Sequence, residues 1–350
     1  MFKPRYRITD QLLNKIAQIE AMLSQVSSSF ILPEREIEMR QRATVEATHS
    51  STSIEGNPLN AKQVEKILFG KNPLTRHQYA EIEVKNYKKA IDFVDKRKTI
   101  DRKLTTQDIL EIHGTVMEGL LDSEKVGVWR KNPVYIENQD GQVVYSGPSA
   151  ALVPREIDGL LDWLNVESYE VHPVIAAAIL HLQLVSVHPF ADGNGRTARI
   201  LTALYLGLRG YDFRGSLVLD SYYSADKKAY YSALHVVQGK NYSTAKTVDL
   251  NPWLDYFTEG FLSSATVLSA EVMLLSSFVK GTPTKRKLSR DETDLLSYVK
   301  YFGPITLSEA ETVLPNVPRR TVQRRLKNLV DVGYLKSTGT TSDTKYTIAS

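Results

Sequence analysis

HPFADGNGRTAR, His188 to Arg199, lies between two long apolar runs, PVIAAAILHLQLVSV from Pro173 and the ILTALYLGL that ends at Leu208. The first run, alanine-rich, is too long for one strand and reads as a helix, and RTARILTALYLGLRG continues after the motif as a buried helix. The stretch is therefore a loop that closes one core helix and opens the next. Gly193 and Gly195 carry no Cβ, so the backbone between them can curl its N–H groups around an anion. The helix that follows points the positive end of its dipole at the same place. Asn194 adds an amide donor. Arg196 and Arg199, three residues apart, share a helical face and reach separate phosphate oxygens. Asp192 supplies a hard oxygen for Mg²⁺, and His188 suits a general base near neutral pH. The set fits attack at phosphorus on a bound triphosphate.

Two rival readings fail on context. GNGRTA formally matches a dinucleotide-binding fingerprint, and the strand-like GSLVLD ends in an acid, Asp220, that could meet a ribose. That motif needs a strand directly before its first glycine, and a helix precedes it here. The phosphate loop of NTPases is excluded because no GKS or GKT occurs. His181, among Ala, Ile and Leu, reads as structural.

The motif resembles, at all its fixed positions, the active-site motif of the Fic family. The resemblance runs from the N-terminal helices to the end of the helical core. It implies a mainly α protein, a Fic-fold helical core with a β-hairpin flap, and transfer of AMP from ATP to a Ser, Thr or Tyr hydroxyl of a target protein or of the chain itself. By matching position, His188 deprotonates the target hydroxyl and Phe190 anchors the loop. Asp192 holds Mg²⁺. Gly193, Asn194 and Gly195 cradle the α-phosphate, Arg196 holds the leaving phosphates, and Arg199 meets the γ-phosphate. Tyr230 and Tyr231 match positions near the adenine; core packing is the other reading. Relatives that transfer other phosphorylated groups leave the transferred group open.

In NPVYIENQDGQVVYSGP, the runs Val134–Ile136 and Gln142–Tyr145 flank Asp140-Gly141, a hairpin signature. It resembles the family's flap, with Val134, Tyr135 and Ile136 as candidates for holding an extended target segment by strand addition. Upstream, Glu55 ends a helix just before Gly56, where the negative end of the dipole disfavours a carboxylate. Ser51-x-x-x-Glu55-Gly56 resembles the family's inhibitory motif. The resemblance implies that Glu55 pairs with Arg199 and blocks productive seating of ATP. It also raises the idea that Glu55 positions water to remove AMP from a modified protein.

The chain has 350 residues, 42% apolar and 24% charged, and no cysteine, so disulfides and Cys-ligated zinc are excluded. With no secretory h-region and no long apolar run, a cytoplasmic protein without a membrane span is expected. From Lys280 onward there are 13 Lys and Arg against 7 Asp and Glu, whereas the rest has 31 against 33. That basic segment reads as three short helices and a two-stranded wing, a small winged helix-turn-helix domain. Its helix PRRTVQRRLKNL offers Arg319, Arg320, Thr321, Arg324 and Arg325 to DNA. Protein docking is the alternative, because fold does not fix function. The expected organisation is an N-terminal helical region, 1–100, with the inhibitory helix at about 34–56. A catalytic core, 101–279, a linker, 280–290, and the winged-helix module, 291–350, follow. A homodimer is expected by analogy with Fic relatives. The competing function class is a DNA-binding regulator whose core only senses nucleotide.

Overall fold

The computed structural model describes residues 2–70, 78–98, 103–137, 142–245, 248–277, 288–339 and 344–349. Its helices are α1 (Asp10–Ser28), α2 (Pro33–Ile54), α3 (Ala61–Phe69), α4 (Gln78–Arg97), α5 (Thr106–Met117), α6 (Val153–Asn165), α7 (Pro173–Val187), α8 (Asn194–Leu208), α9 (Asp220–Ala225), α10 (Lys227–Gln238), α11 (Tyr242–Ala245), α12 (Asn251–Ser277), α13 (Arg290–Phe302), α14 (Leu307–Val313) and α15 (Arg319–Asp331). The strands are β1 (Tyr135–Glu137), β2 (Val143–Ser146), β3 (Ile305–Thr306), β4 (Leu335–Thr338) and β5 (Lys345–Ile348).

Two compact units emerge, one made of Met1–Ser28 with Arg42–Ala270, the other of Ser29–Gln41 with Glu271–Ser350. In the first, α7 is buried from Val174 to Val187 and packs on α8, which also meets α4 and α5. Burial on every side explains why α7 shows no polar face. The Trp253 indole N–H donates to the Ala178 carbonyl at 2.7 Å and ties α12 to α7. Helix starts follow capping chemistry. The Thr9 hydroxyl accepts from Leu12 N, and Thr105 forms a reciprocal box with Asp108. β1 and β2 form an antiparallel hairpin with a register shift between Ile136 and Glu137.

In the second unit, α13, α14 and α15 surround Leu295, Leu296, Val299, Val322, Leu326 and Leu329, joined by Ile37 from the first turns of α2. β3, β5 and β4 pair antiparallel in that spatial order. Helix α2 is continuous, with its start in this unit and Arg42–Ile54 in the first.

The structure corrects several sequence expectations. The hairpin strands start and end one residue later than expected. Asp140-Gly141 and residues 280–287 of the expected linker lie outside the described residues. GSLVLD is not a strand: left-handed residues Phe213, Arg214 and Gly215 lead into it, and Asp220 opens α9. β3 was not anticipated, because two residues leave no readable alternation.

Candidate active site

The loop between α7 and α8 is fixed largely by its own side chains. His188 caps α7 in the left-handed region, at φ 49° and ψ 60°, with its N–H on the Leu184 carbonyl at 2.9 Å. Its Nδ1 lies 3.2 Å from the Val185 carbonyl. A carbonyl only accepts, so Nδ1 carries the proton and Nε2 keeps its lone pair. Burial pushes the imidazole pKa down. The Val185 contact opposes that shift, the Arg130 charge adds to it, and Glu55 and Asp192 oppose it. The net position is below the ordinary histidine value.

Phe190 is fully buried and stacks face to face on His113 at 3.7 Å. His113 Nδ1 accepts from Gly127 N at 2.9 Å, so its Nε2–H donates to the Asp192 carbonyl at 3.1 Å. Burial lowers the His113 pKa to about 4, which keeps it a neutral donor. The Asn194 amide clasps the loop. Its Oδ1 accepts from Phe190 N at 2.9 Å and its Nδ2 donates to the Phe190 carbonyl at 3.0 Å. The donor expected to face an anion is thus spent on loop shape, and the remaining cradle is backbone. Gly193 sits at φ +75°, and a Cβ there would lie 2.5 Å from Met117 Sδ. Gly193→Ala is expected to destabilise the fold by about 2–3 kcal/mol, combining backbone strain with overpacking. Thermal or urea unfolding of the variant reads this directly.

A cleft of about 1070 Å³ opens beside the loop, lined by His188, Gly195, Arg199, Glu55, Tyr231 and the flap residues Tyr135 and Ile136 among others. Arg199 is buried at its floor. Its Nε meets the Ser51 hydroxyl at 2.6 Å and Asp220 Oδ1 at 3.2 Å, and its Nη2 meets Glu55 Oε1 at 2.7 Å. Burial pushes the Glu55 carboxyl up, but the Arg199 charge and hydrogen bond, with Arg196 and His188, carry it net below its usual value. A Cβ on Gly195 would collide with Glu55 Oε1. A carboxylate oxygen therefore lies against the bare backbone where an anion would sit.

Local geometry explains how a carboxylate is held at a helix C-terminus. Gly56, at φ +96°, closes α2 with Gly56 N on the Ser53 carbonyl and Asn57 N on the Thr52 carbonyl, a Schellman motif with Glu55 at the cap. The Lys227 ammonium donates to the Ser53 carbonyl, and with Arg199 it supplies the cations that the dipole calls for.

Arg196 does not face the cleft. Its Nη1 pairs with Glu83 at 2.7 Å, both side chains buried, and its Nη2 lies 3.8 Å from Asp192. Asn57 Nδ2 also donates to Glu83, at 2.7 Å. The Asp192 side chain is about half exposed, and its Oδ1 accepts from Gly193 N. Tyr230 is buried, with its hydroxyl on His181 Nε2 at 2.8 Å, whereas Tyr231 is exposed at the cleft. His181 is fully buried between Tyr230 and Thr202. Val134 turns from the cleft toward Gly147. In the other unit, Arg319, Arg320 and Arg324 are exposed, Thr321 is half-buried, and Arg325 turns to Asp291 at 3.4 Å. Arg319 also pairs with Glu311.

Sequence reading missed His113, Arg130, Lys227 and the Glu83–Asn57 pair, and it met Asp220 only in a discarded role. None shares a spacing pattern with the motif. Only His113 carries a legible signal, a polar residue on the buried face of α5; Arg130 and Asn57 lie in loops, and Glu83 and Lys227 stand among other charged residues.

Among the described residues, no cluster of three or more His, Asp and Glu is arranged to hold a metal, and no helix is long and apolar enough to cross a membrane. Residues 103–206 match the family model described as Fic/DOC family. The protein adenylyltransferase Fic of Drosophila willistoni is 35% identical over 176 residues, 49% of this chain and 34% of that protein. The chain therefore spans about a third of the curated relatives it matches. A Fic family protein from Desulfovibrio desulfuricans superposes with a TM-score of 0.65 at 23% identity, over 99% of this chain and 98% of that one. A Fic domain-containing signaling protein from Bacteroides thetaiotaomicron gives 0.64 at 26% identity, over 77% and 100%. The loop that presents His188, with the bare glycine backbone beside it, lies within residues 103–206, the segment of this chain that matches the Fic/DOC family.

Proposed function

We propose that the chain is a protein adenylyltransferase that moves AMP from ATP to a protein hydroxyl, held in check by Glu55. The observation that carries this reading is His188 with an unprotonated Nε2 at a cleft whose floor holds Arg199 and the bare Gly195 backbone. Nε2 takes the hydroxyl proton, and the oxygen attacks the α-phosphorus. A new P–O bond forms, the bond to the bridging oxygen of the β-phosphate breaks, and pyrophosphate leaves. Backbone N–H groups and the α8 N-terminus stabilise the charge on the α-phosphate. Arg199 serves the terminal phosphate once Glu55 withdraws. A half-exposed Asp192 carboxylate beside the cradle fits Mg²⁺, which commonly binds through one or two carboxylates plus phosphates and water. When bound, the ion neutralises polyphosphate charge. β1 has β2 as its only strand neighbour among the described residues, so its outer edge can pair with an extended target. Incubation with Mg²⁺ and α-labelled ATP, read by mass spectrometry for AMP on the chain or on lysate proteins, tests the reading. Bound ATP with no transfer would favour a nucleotide sensor or another donor.

The order helix, strand, two helices, two strands in the second unit supports a winged-helix reading, and exposed Arg319, Arg320 and Arg324 on α15 suit DNA. A duplex mobility shift should appear at low salt and fade steeply as salt rises. Arg320→Ala should reduce the log–log salt slope by about 1. A salt-insensitive shift, or none at low salt, would point to protein docking.

A further inference from the structure

Arg130 is only 7% exposed and pairs with no carboxylate among the described residues. Its guanidinium is spent entirely on main-chain carbonyls. Nε donates to His188 O at 2.7 Å, Nη1 to Asn132 O at 2.8 Å, and Nη2 to Pro148 O at 2.6 Å and to Val187 O at 3.4 Å. Its own N–H donates to Pro189 O at 2.9 Å. Asn132 lies just before the hairpin and Pro148 just after it. One rigid fork thus holds both ends of the flap and the residue that carries the imidazole. Lysine, a point charge on a flexible stem, could not reproduce that geometry.

We propose that Arg130 is a positioning residue that sets the distance between the flap and the His188 imidazole, and so the register between a target hydroxyl on the flap and its base. The proposal rests on the reading of His188 as base. Two independent features support it. His188 occupies a left-handed conformation that a non-glycine residue adopts at a cost, so something must hold its carbonyl, and Arg130 Nε does. Gly147, between β2 and Pro148, has no room for a side chain, because a Cβ would lie 2.7 Å from Val134 Cγ1 and 3.3 Å from Arg130 Nη2. The flap base is packed directly onto the fork. The unpaired cation also disfavours a protonated imidazole, opposing Glu55 from α2 and Asp192 from the loop, which favour it.

The test uses the full chain carrying Glu55→Gly, compared with Arg130→Lys and Arg130→Met in that background, each checked for cooperative thermal unfolding. Arg130→Met should lower kcat for AMP transfer by roughly 100-fold, the scale of an ångström-sized misplacement of reacting groups, while ATP affinity by calorimetry holds. The His188 imidazole, followed by NMR with His188→Ala to assign it, should titrate at higher pH in Arg130→Met and at the parental pH in Arg130→Lys. The lysine variant should restore the titration without restoring kcat. Parental kcat in both variants, or a parallel loss of kcat and ATP affinity, would overturn the proposal in favour of a merely structural arginine. If the Glu55→Gly parent transfers nothing, the adenylyltransferase reading fails. The titration then still decides Arg130, and an unmoved imidazole in Arg130→Met overturns it. If the methionine variant does not fold, kcat of the lysine variant decides, because the charge is kept and only the fork is lost.

Discussion

Glu55→Gly is expected to raise AMP transfer by roughly 30- to 1000-fold, taking about 2–4 kcal/mol for the resistance of a desolvated charge pair to displacement. The arriving polyphosphate must take Arg199 from Glu55, whose Oε1 lies 2.7 Å from Nη2 and against the Gly195 backbone. Both the cation and the space are contested by one carboxylate. The variant should remain folded, because Asp220 Oδ1 still faces Arg199 at 3.2 Å and the Schellman closure at Gly56 uses only main-chain atoms. Glu55→Gln keeps the bulk and removes the charge, so it should fall between parent and glycine. Label transfer from α-labelled ATP, read as initial rate at saturating ATP and again at low ATP, separates relief of misplacement from relief of competition. A folded Glu55→Gly chain with an unchanged rate would remove the inhibitory role. A pre-modified chain that keeps its AMP when Glu55 is intact would remove the idea that Glu55 also drives de-AMPylation.

The parts of this site legible in the sequence are those whose function and local structure use the same residues. Gly193 is glycine for the left-handed turn that starts α8, Gly195 leaves room that a Cβ would take from Glu55 Oε1, and Gly56 marks the end of α2 through backbone geometry alone. The two long apolar runs around the motif made a helix–loop–helix the only consistent reading. Tertiary choices were not legible. Whether Asn194 faces a ligand or Phe190 depends on a four-residue loop closure that spacing does not specify. Arg196 shares a helical face with Arg199, yet Glu83 on α4, 113 residues away, draws it aside. Asp220 looked like the end of a strand because Leu217, Val218 and Leu219 are apolar. The turn at Arg214 and Gly215 instead delivers them into a helical unit, and Asp220 meets Arg199 from the start of α9. Buried polar partners of this kind answer to three-dimensional complementarity, for which a sequence carries no period.

His188→Ala, placed in the Glu55→Gly background, is expected to lower transfer by about 10²- to 10⁴-fold, the usual worth of a positioned general base. ATP binding should survive, because the groups that meet phosphate are main-chain N–H and Arg199. The pH dependence carries a definite sign. The imidazole is a base only when neutral, and its pKa in the free chain lies below the ordinary histidine value, with burial as the leading cause. In the Glu55→Gly chain one charge that raises this pKa is gone, so it moves lower still. The rate measured as kcat/KM should therefore be flat through neutral pH and fall only on acidification below about 6.5, the ordinary value for histidine. His113 is neutral over the same range, with its pKa near 4, so the loop keeps its shape while the base titrates. A profile whose acid limb lies above neutrality would mean that the proton leaves to some other group. A double variant as active as Glu55→Gly alone would take His188 out of the chemistry altogether. The alanine variant with ATP bound and no transfer is the result that ties base, cradle and brake to one site. In it, the left-handed position still terminates α7, the fork of Arg130 still holds the carbonyl, and only the lone pair is missing.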